Sequence, residues 1–470
     1  MDAFLAPFQN GPPAEDVAHL LAINDGRLLD WLATVESREG RETLLTGALY
    51  CSLEPGGSPE GISYLRFISL NQRSLVGGID EGQHTIDTSF LVRLIDQLYG
   101  GSEAPKIWAP CQSCSAKERC EVFRATRLFG PASLPVLEKH EVRERARQRL
   151  FEALQAVHLR AETHITMREL RAALVFILFG IHYCDAYHSD QPVESVPYWD
   201  RAFRADVLGR QGEVLAELVH FDPGLEAHPQ IDRHLQSKAF ADPGATAPRY
   251  PNLALQSARR RAFFEWTTSD IIQVSGDPAA LGLAGGRHLQ VFRDLPLDID
   301  GTTRAQVCER ICAGISRLED LPPRALSEPG IVPLRITPRT PTETAFWVEK
   351  RLAAFRLEVD LPPPLEGMER LHRRIFLVYR YRSGKEERLA LGADLFRLLM
   401  ELGEGYQLGD VSTDDTFAHL SIFVQRLTRE DERELVAWNP MEDDTLFRIR
   451  PADGSVQRIV ISPIIPGGVE

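Results

Sequence analysis

The chain's 470 residues, 43% of them apolar, suffice for roughly three packed domains. A net charge of −14 and an isoelectric point near 5.5 exclude a protein that coats nucleic acid through bulk positive charge, leaving such contact to a local basic patch. The apolar run Ala172–Gly180 is too short to span a bilayer, and the start Met1-Asp-Ala-Phe lacks the basic opening of a secretory signal. Seven cysteines, an odd number, suit reduced thiols better than a disulfide framework. The expectation is a cytoplasmic protein with no membrane contact.

In chain order, residues 1–15 carry Gly and Pro without periodicity. The apolar run ending at Ile23 reads as a short buried strand, Asn24-Asp25-Gly26 as its turn, and Arg27 onwards as an amphipathic helix carrying Leu28, Leu29, Trp31 and Leu32. A helix near 41–48, a Gly/Pro turn at 55–61, a strand from Tyr64 to Leu70 and a helix from about Ser89 to Tyr99 follow. This alternation predicts an α/β layer over residues 14–100.

The layer is interrupted by Trp108-Ala-Pro-Cys-Gln-Ser-Cys-Ser-Ala-Lys-Glu-Arg-Cys120, which holds three cysteines within ten residues. Cys111 and Cys114 have the spacing of a metal knuckle, and Cys120 reaches the same point if the loop folds back. Zinc takes four soft or borderline ligands in a tetrahedron, so three are in view. Pro110 stiffens the approach, and Lys117 and Arg119 would offset the charge of a zinc–thiolate centre. A redox pair is the competing reading, although it needs no third cysteine.

Residues 135–240 read as mostly helical. A long charged helix spans Leu137 to Ala161 with Leu150, Leu154 and Val157 on one side. A second helix is introduced by Thr166 and Glu169 as a capping box and ends at Gly180. Between 240 and 330, Arg259, Arg260 and Arg261 lie on a helix beside Phe263, Phe264 and Trp266, and Cys308 and Cys312 share a helix face. Beyond 330, strands are expected at Ile331–Thr337 and Ile375–Tyr381, the latter followed by a turn at Ser383-Gly384. Helices follow near 392–402 and 415–427, and a closing hairpin pairs Leu446–Arg450 with Val456–Ile461 through Asp453-Gly454.

Three of these segments, in this order, resemble the carboxyl-terminal part of an AAA+-type P-loop ATPase. Leu20-Leu-Ala-Ile-Asn-Asp-Gly-Arg-Leu-Leu-Asp30 resembles the sensor-1 strand, with Asn24 at the position that polarises the attacking water. Met167-Arg-Glu-Leu-Arg-Ala-Ala-Leu174 resembles the sensor-2 helix of the lid, with Arg168 at the phosphate-sensing position. The cysteine loop between them is similar to the zinc-bearing insertion of large bacterial ATPases of phage-defence and DNA-modification-dependent restriction systems. In those proteins the lid often ends in a further cysteine, which implies Cys184 as the fourth zinc ligand; His182 and His188 are its rivals.

The resemblance implies a fold of α/β plus α: a partial AAA+-like α/β core with the zinc loop (1–135), a helical lid (136–240), a mostly helical middle (241–330) and a C-terminal α+β module (331–470). It covers residues 14–190. No G-x-x-x-x-G-K-[ST] occurs in the chain, so ATP enters only in a complex whose P-loop comes from a partner or from missing upstream sequence. The function implied is a zinc-stabilised component of a bacterial anti-phage defence ATPase assembly with protein partners, nucleic acid being possible. The alternative is a non-catalytic zinc-binding scaffold that bridges proteins or DNA.

Each assignment has a plainer counterpart. Asn24 can cap the helix from Arg27, Arg168 and Arg73 can be surface arginines, and Cys184 can be a buried thiol. Arg259–Arg261 can be the charged face of a helix, and Cys308 and Cys312 read as core. Cys51 gives no signal.

Overall fold

A computed structural model describes residues 1–9, 11–12, 18–39, 43–53, 64–70, 73–80, 82–135, 137–160, 164–189, 195–206, 208–209, 212–238, 247–319, 321–326, 328–337, 344–362, 368–406, 415–429, 434–439, 445–452 and 455–464. The chain divides into two compact units, one formed by Met1–Arg73 with Pro363–Met368 and the other by Ser74–Pro362 with Glu369–Glu470. Residues 74–135, expected to join the N-terminal segment, cluster with the larger unit.

The small unit is helical. Its main elements are α1 (Asp25–Glu39) and α2 (Leu44–Leu53). Leu28, Trp31, Leu32 and Val35 recur at helical spacing on α1 and bury against Leu45 and Leu49. The expected strand ending at Ile23 is absent: residues 18–24 take no regular structure, and Leu20 is 93% exposed. Residues 65–69 likewise form no strand, against the expectation for Tyr64–Leu70. Both runs are short and apolar, and periodicity alone does not separate a strand from a segment laid across a neighbouring surface.

The large unit begins with a hairpin of β1 (Gly78–Asp80) and β2 (Thr85–Asp87), then α3 (Ser89–Leu98), α4 (Ala104–Gln112) and α5 (Glu121–Phe129). The helix that organises its core is α6 (His140–Arg160), whose Ala146, Leu150, Ala153, Leu154 and Val157 are buried. Its arginines are structural. Arg147 donates to the carbonyls of Phe129 (2.8 Å) and Gly130 (3.0 Å), so it closes the C-terminal end of α5, and it also meets Asp96 at 2.9 Å.

Next come α7 (Met167–Phe179), α8 (Cys184–His188) and α9 (Tyr198–Phe203). The capping box on α7 forms as expected: Thr166 Oγ1 accepts from Glu169 N at 3.3 Å, and the Glu169 carboxylate accepts from Thr166 N at 3.0 Å. By length and composition the stretch Met167–His188 could cross a membrane. It is instead broken at Gly180 (φ +70°), and Leu170, Leu174, Ile177 and Leu178 are buried in the protein core. The helical part is completed by α10 (Glu213–Leu218), α11 (Pro229–Gln236), α12 (Leu255–Glu265), α13 (Thr268–Ser275), α14 (Gly286–Asp294) and α15 (Thr302–Leu318).

The last third is α+β. Its strands are β3 (Ile331–Arg335), β4 (Ala345–Arg351), β5 (Phe355–Val359), β6 (Ile375–Arg380) and β7 (Glu386–Leu391). Helices α16 (Ala393–Gly403) and α17 (Asp415–Arg429) follow, then β8 (Leu435–Trp438), β9 (Leu446–Ala452) and β10 (Ser455–Pro463). The two sheets have the orders β10-β9-β8-β4-β3 and β5-β6-β7. The expected hairpin is present as β9–β10, with Asp453-Gly454 outside the described residues. The fold is thus a mixture of helices with small sheets. Every strand pairing among the described residues is antiparallel, so they contain no counterpart of the parallel sheet of an AAA+-like core.

Candidate metal centre

Four structural details bring the cysteine loop to the end of α7. Trp108 on α4 donates its indole N–H to Tyr99 O at 2.9 Å, and its ring packs near those of Tyr99 (5.5 Å) and Phe179 (6.4 Å), the last residue of α7. This sets Cys111 at the C-terminal end of α4. Tight turns follow, with Cys114 N donating to Cys111 O and Lys117 N to Cys114 O. Cys120 then caps α5, its sulfur accepting from Phe123 N at 3.4 Å. On the other side, buried Tyr187 anchors the five-residue helix α8, which starts at Cys184 and ends at His188.

The result is a convergence of donors. Cys114 Sγ lies 3.4 Å from His188 Nε2, across 74 residues of sequence. Burial pushes the Cys111 thiol up in pKa, and the neighbouring Cys114, Cys120 and Cys184 push it further. The Cys120 thiol is also raised, first by burial and then by Cys184 and Cys114, against the opposing pull of the Phe123 and Val122 amides. Each of the four cysteines has a free thiol. Among the described residues no three His, Cys, Asp or Glu side chains close to the spacing of a bound metal ion. The donor chemistry fits zinc nevertheless. Thiols and an imidazole are the soft and borderline donors a zinc ion would deprotonate or coordinate and draw together.

Arg201, which the sequence reading missed, lies beneath this cluster. It is 3% exposed and donates to the carbonyls of Val196 (2.6 Å), Ile177 (2.9 Å) and Leu178 (3.2 Å), closing the end of α7 at Gly180. Its guanidinium is within electrostatic reach of Tyr187, Glu121 and Cys120. Its one sequence signal is a charged pair, Asp200-Arg201, set in the aromatic run Tyr198-Trp199…Phe203. A charge inside such a run is expensive unless paired.

The two nucleotide candidates lie in different units, Asn24 in the small one and Arg168 in the large one. Asn24 Oδ1 accepts from Arg27 N at 2.8 Å, which is helix capping, and no strand precedes it. Arg168 is exposed in the first turn of α7. His182 packs edge-on to Tyr187 with ring centroids 6.4 Å apart.

Arg259, Arg260 and Arg261 are no nucleic-acid patch. Arg259 Nε meets Asp232 at 2.6 Å, and Arg260 bridges Asp222 (2.6 Å) and Asp200 (2.8 Å). Arg261 pairs with Glu265 at 2.9 Å and lies over the rings of Tyr250 and Trp199. Three consecutive residues on a helix cannot share one face, so two of them must turn inward and be paired there. Cys308 and Cys312 are buried core thiols, as expected. A cleft of about 660 Å³ beside α6 and α14 is lined by charges that largely answer each other, such as Arg149 with Glu152 at 3.0 Å.

No family model matches the chain, and no curated protein or solved structure does.

Proposed function

We propose that the chain is a non-catalytic, zinc-stapled scaffold that joins protein partners in the bacterial cytoplasm. The observation that carries this reading is the 3.4 Å approach of Cys114 Sγ to His188 Nε2 from two segments distant in sequence, with Cys184 within electrostatic reach of Cys111 and Cys120. Zinc bound there would supply a cross-link between the α4–α5 loop and the end of α7, and with four protein ligands it would keep no open position for a substrate. The protein's own residues perform the rest of the task. Trp108 seats α4, Cys120 orders α5, Tyr187 holds α8, and Arg201 carries the compensating positive charge. Metal analysis of the purified chain tests this: about one zinc per chain is expected, with loss of the metal in Cys111→Ser. A chain purified without zinc that also takes up none on addition would end the proposal.

A second reading places this scaffold in an anti-phage defence ATPase assembly, to which a partner brings the P-loop and ATP. It is favoured by Arg168, whose exposed guanidinium at the start of α7 is available to a nucleotide held by another chain. Copurification from the native host, followed by nucleotide binding that Arg168→Ala weakens, is the expected outcome. A complex that binds ATP equally well with the variant removes this role.

A further inference from the structure

We infer that His188 Nε2, and not the Cys184 thiol, is the fourth zinc ligand, which leaves Cys184 as a free thiol beside the metal. The inference rests on the zinc reading above and assigns its ligand set. Its first ground is distance. A sulfur about 2.3 Å and an imidazole nitrogen about 2.05 Å from one tetrahedral metal lie roughly 3.5 Å apart. Cys114 Sγ and His188 Nε2 lie 3.4 Å apart, so this pair already has ligand spacing, whereas no hydrogen bond joins Cys184 to the other described donors.

The second ground is the anchoring of α8. Tyr187, 5% exposed, fixes the depth of this helix near Cys120, and His188 is the next residue. Both ends of this short helix are exposed; His188 adjoins the buried anchor, whereas Cys184 sits a turn away, next to Tyr183, which is 86% exposed. Ligation by His188 requires no movement of its own partner sulfur.

The third ground is charge. Three thiolates and a neutral imidazole around a dication leave one net negative charge, and four thiolates leave two. The buried cation facing the cluster is Arg201, because Arg124 is engaged by Glu121 at 2.9 Å. One guanidinium balances the three-thiolate site. The four-thiolate site would need a second cation, which Lys117 and Arg119 could supply only from the solvent side of the loop.

The test uses the full chain with Co²⁺ in place of zinc, because its visible bands count thiolate ligands. A three-thiolate, one-nitrogen spectrum is expected for the wild-type chain, with an unchanged spectrum and stoichiometry in Cys184→Ser. His188→Ala should shift the bands and weaken metal binding. Alkylation of the zinc-loaded chain, mapped by mass spectrometry, should modify Cys184 while Cys111, Cys114 and Cys120 stay protected until a chelator is added. A four-thiolate wild-type spectrum, or protection of Cys184, overturns this inference and leaves the zinc staple standing. Failure to bind either metal overturns the staple itself.

Discussion

Replacing Gly314 by alanine tests the packing of the α+β part where it is tightest. Gly314 lies within α15, and a Cβ added there would run into the Leu399 carbonyl oxygen of α16. Gly403 makes the reciprocal approach to the Arg310 carbonyl. The two helices thus meet backbone to backbone, flanked by buried Ile311, Cys312, Ile315, Leu399 and Leu402. In an exposed helix, Gly→Ala stabilises by about 1 kcal/mol through backbone entropy. Overpacking of a filled core costs about 1–3 kcal/mol, and the obstacle here is main chain, which cannot rotate away, so the upper end applies. The net expectation is destabilisation by about 2 kcal/mol, read as a lower urea midpoint at unchanged slope. Gly392→Ala, where the added carbon meets nothing within 4 Å, is the control and should change little. A midpoint for Gly314→Ala at or above the wild-type value would refute the close crossing.

Arg260→Ala should destabilise by about 3–5 kcal/mol in the same assay, since it leaves the Asp222 and Asp200 carboxylates facing each other in the core; a loss below about 1 kcal/mol would contradict their burial. His158 and His372 are buried, and burial lowers their pKa values to about 3 and about 4, with the Arg373 charge also acting on His158. The unfolded chain protonates them near 6.5, so it binds more protons than the folded chain at intermediate pH, and stability must fall as pH drops from 6.5 towards those values. At pH 4.5 the loss is about 2–3 kcal/mol for each histidine. His372→Gln should flatten the dependence of midpoint on pH, and an unchanged slope would count against the assignment. Thr166→Ala should cost about 1 kcal/mol through loss of the α7 cap, and equal stability would show that the box contributes nothing. Under chelation, amide exchange should rise in α8 and residues 111–120 while α6 keeps its protection; uniform exchange across all of them would rule out a local staple.

The carboxyl-terminal third was the most legible part of the sequence, for physical reasons. Ile375–Arg380 and Ile331–Arg335 are β-branched runs bounded by turn residues, and Gly384 takes the φ of +87° that the turn after β6 requires. The α7 capping box was equally plain, because both of its bonds are local. Segments whose conformation depends on distant neighbours misled. Leu20-Leu-Ala-Ile23 has the composition of a buried strand, yet Leu20 faces solvent, and no strand among the described residues pairs with it. The arginines 259–261 gave a basic patch in sequence and ion pairs in space, since their partners Asp200, Asp222 and Asp232 are far away along the chain. The three clustered cysteines were visible from spacing alone. The approach of His188 to Cys114 depends on how α4 and α8 dock, which no local pattern encodes.

The position of the cysteine cluster follows from what α8 lacks. A helix of five residues has little stability of its own, because nucleation consumes most of what its few hydrogen bonds return. Its two neighbours along the chain are already secured: α7 by its cap and by Arg201 on the carbonyls of Ile177 and Leu178, and α9 by Trp199 Nε1 on Ser257 and by Ser257 on Asp200. Between them, α8 holds to the core by Tyr187, the one residue of the helix that is buried. One aromatic anchor sets depth but permits rotation about itself. In the proposed site, a second attachment at the adjacent residue, from His188 to a metal shared with Cys114, would remove that freedom. The same bond would constrain the α4–α5 loop, whose own contacts include turns and a sulfur cap. Each segment is too short to fold alone, and a metal between them makes the folding of either conditional on the other. That reciprocity is the physical content of a structural zinc site.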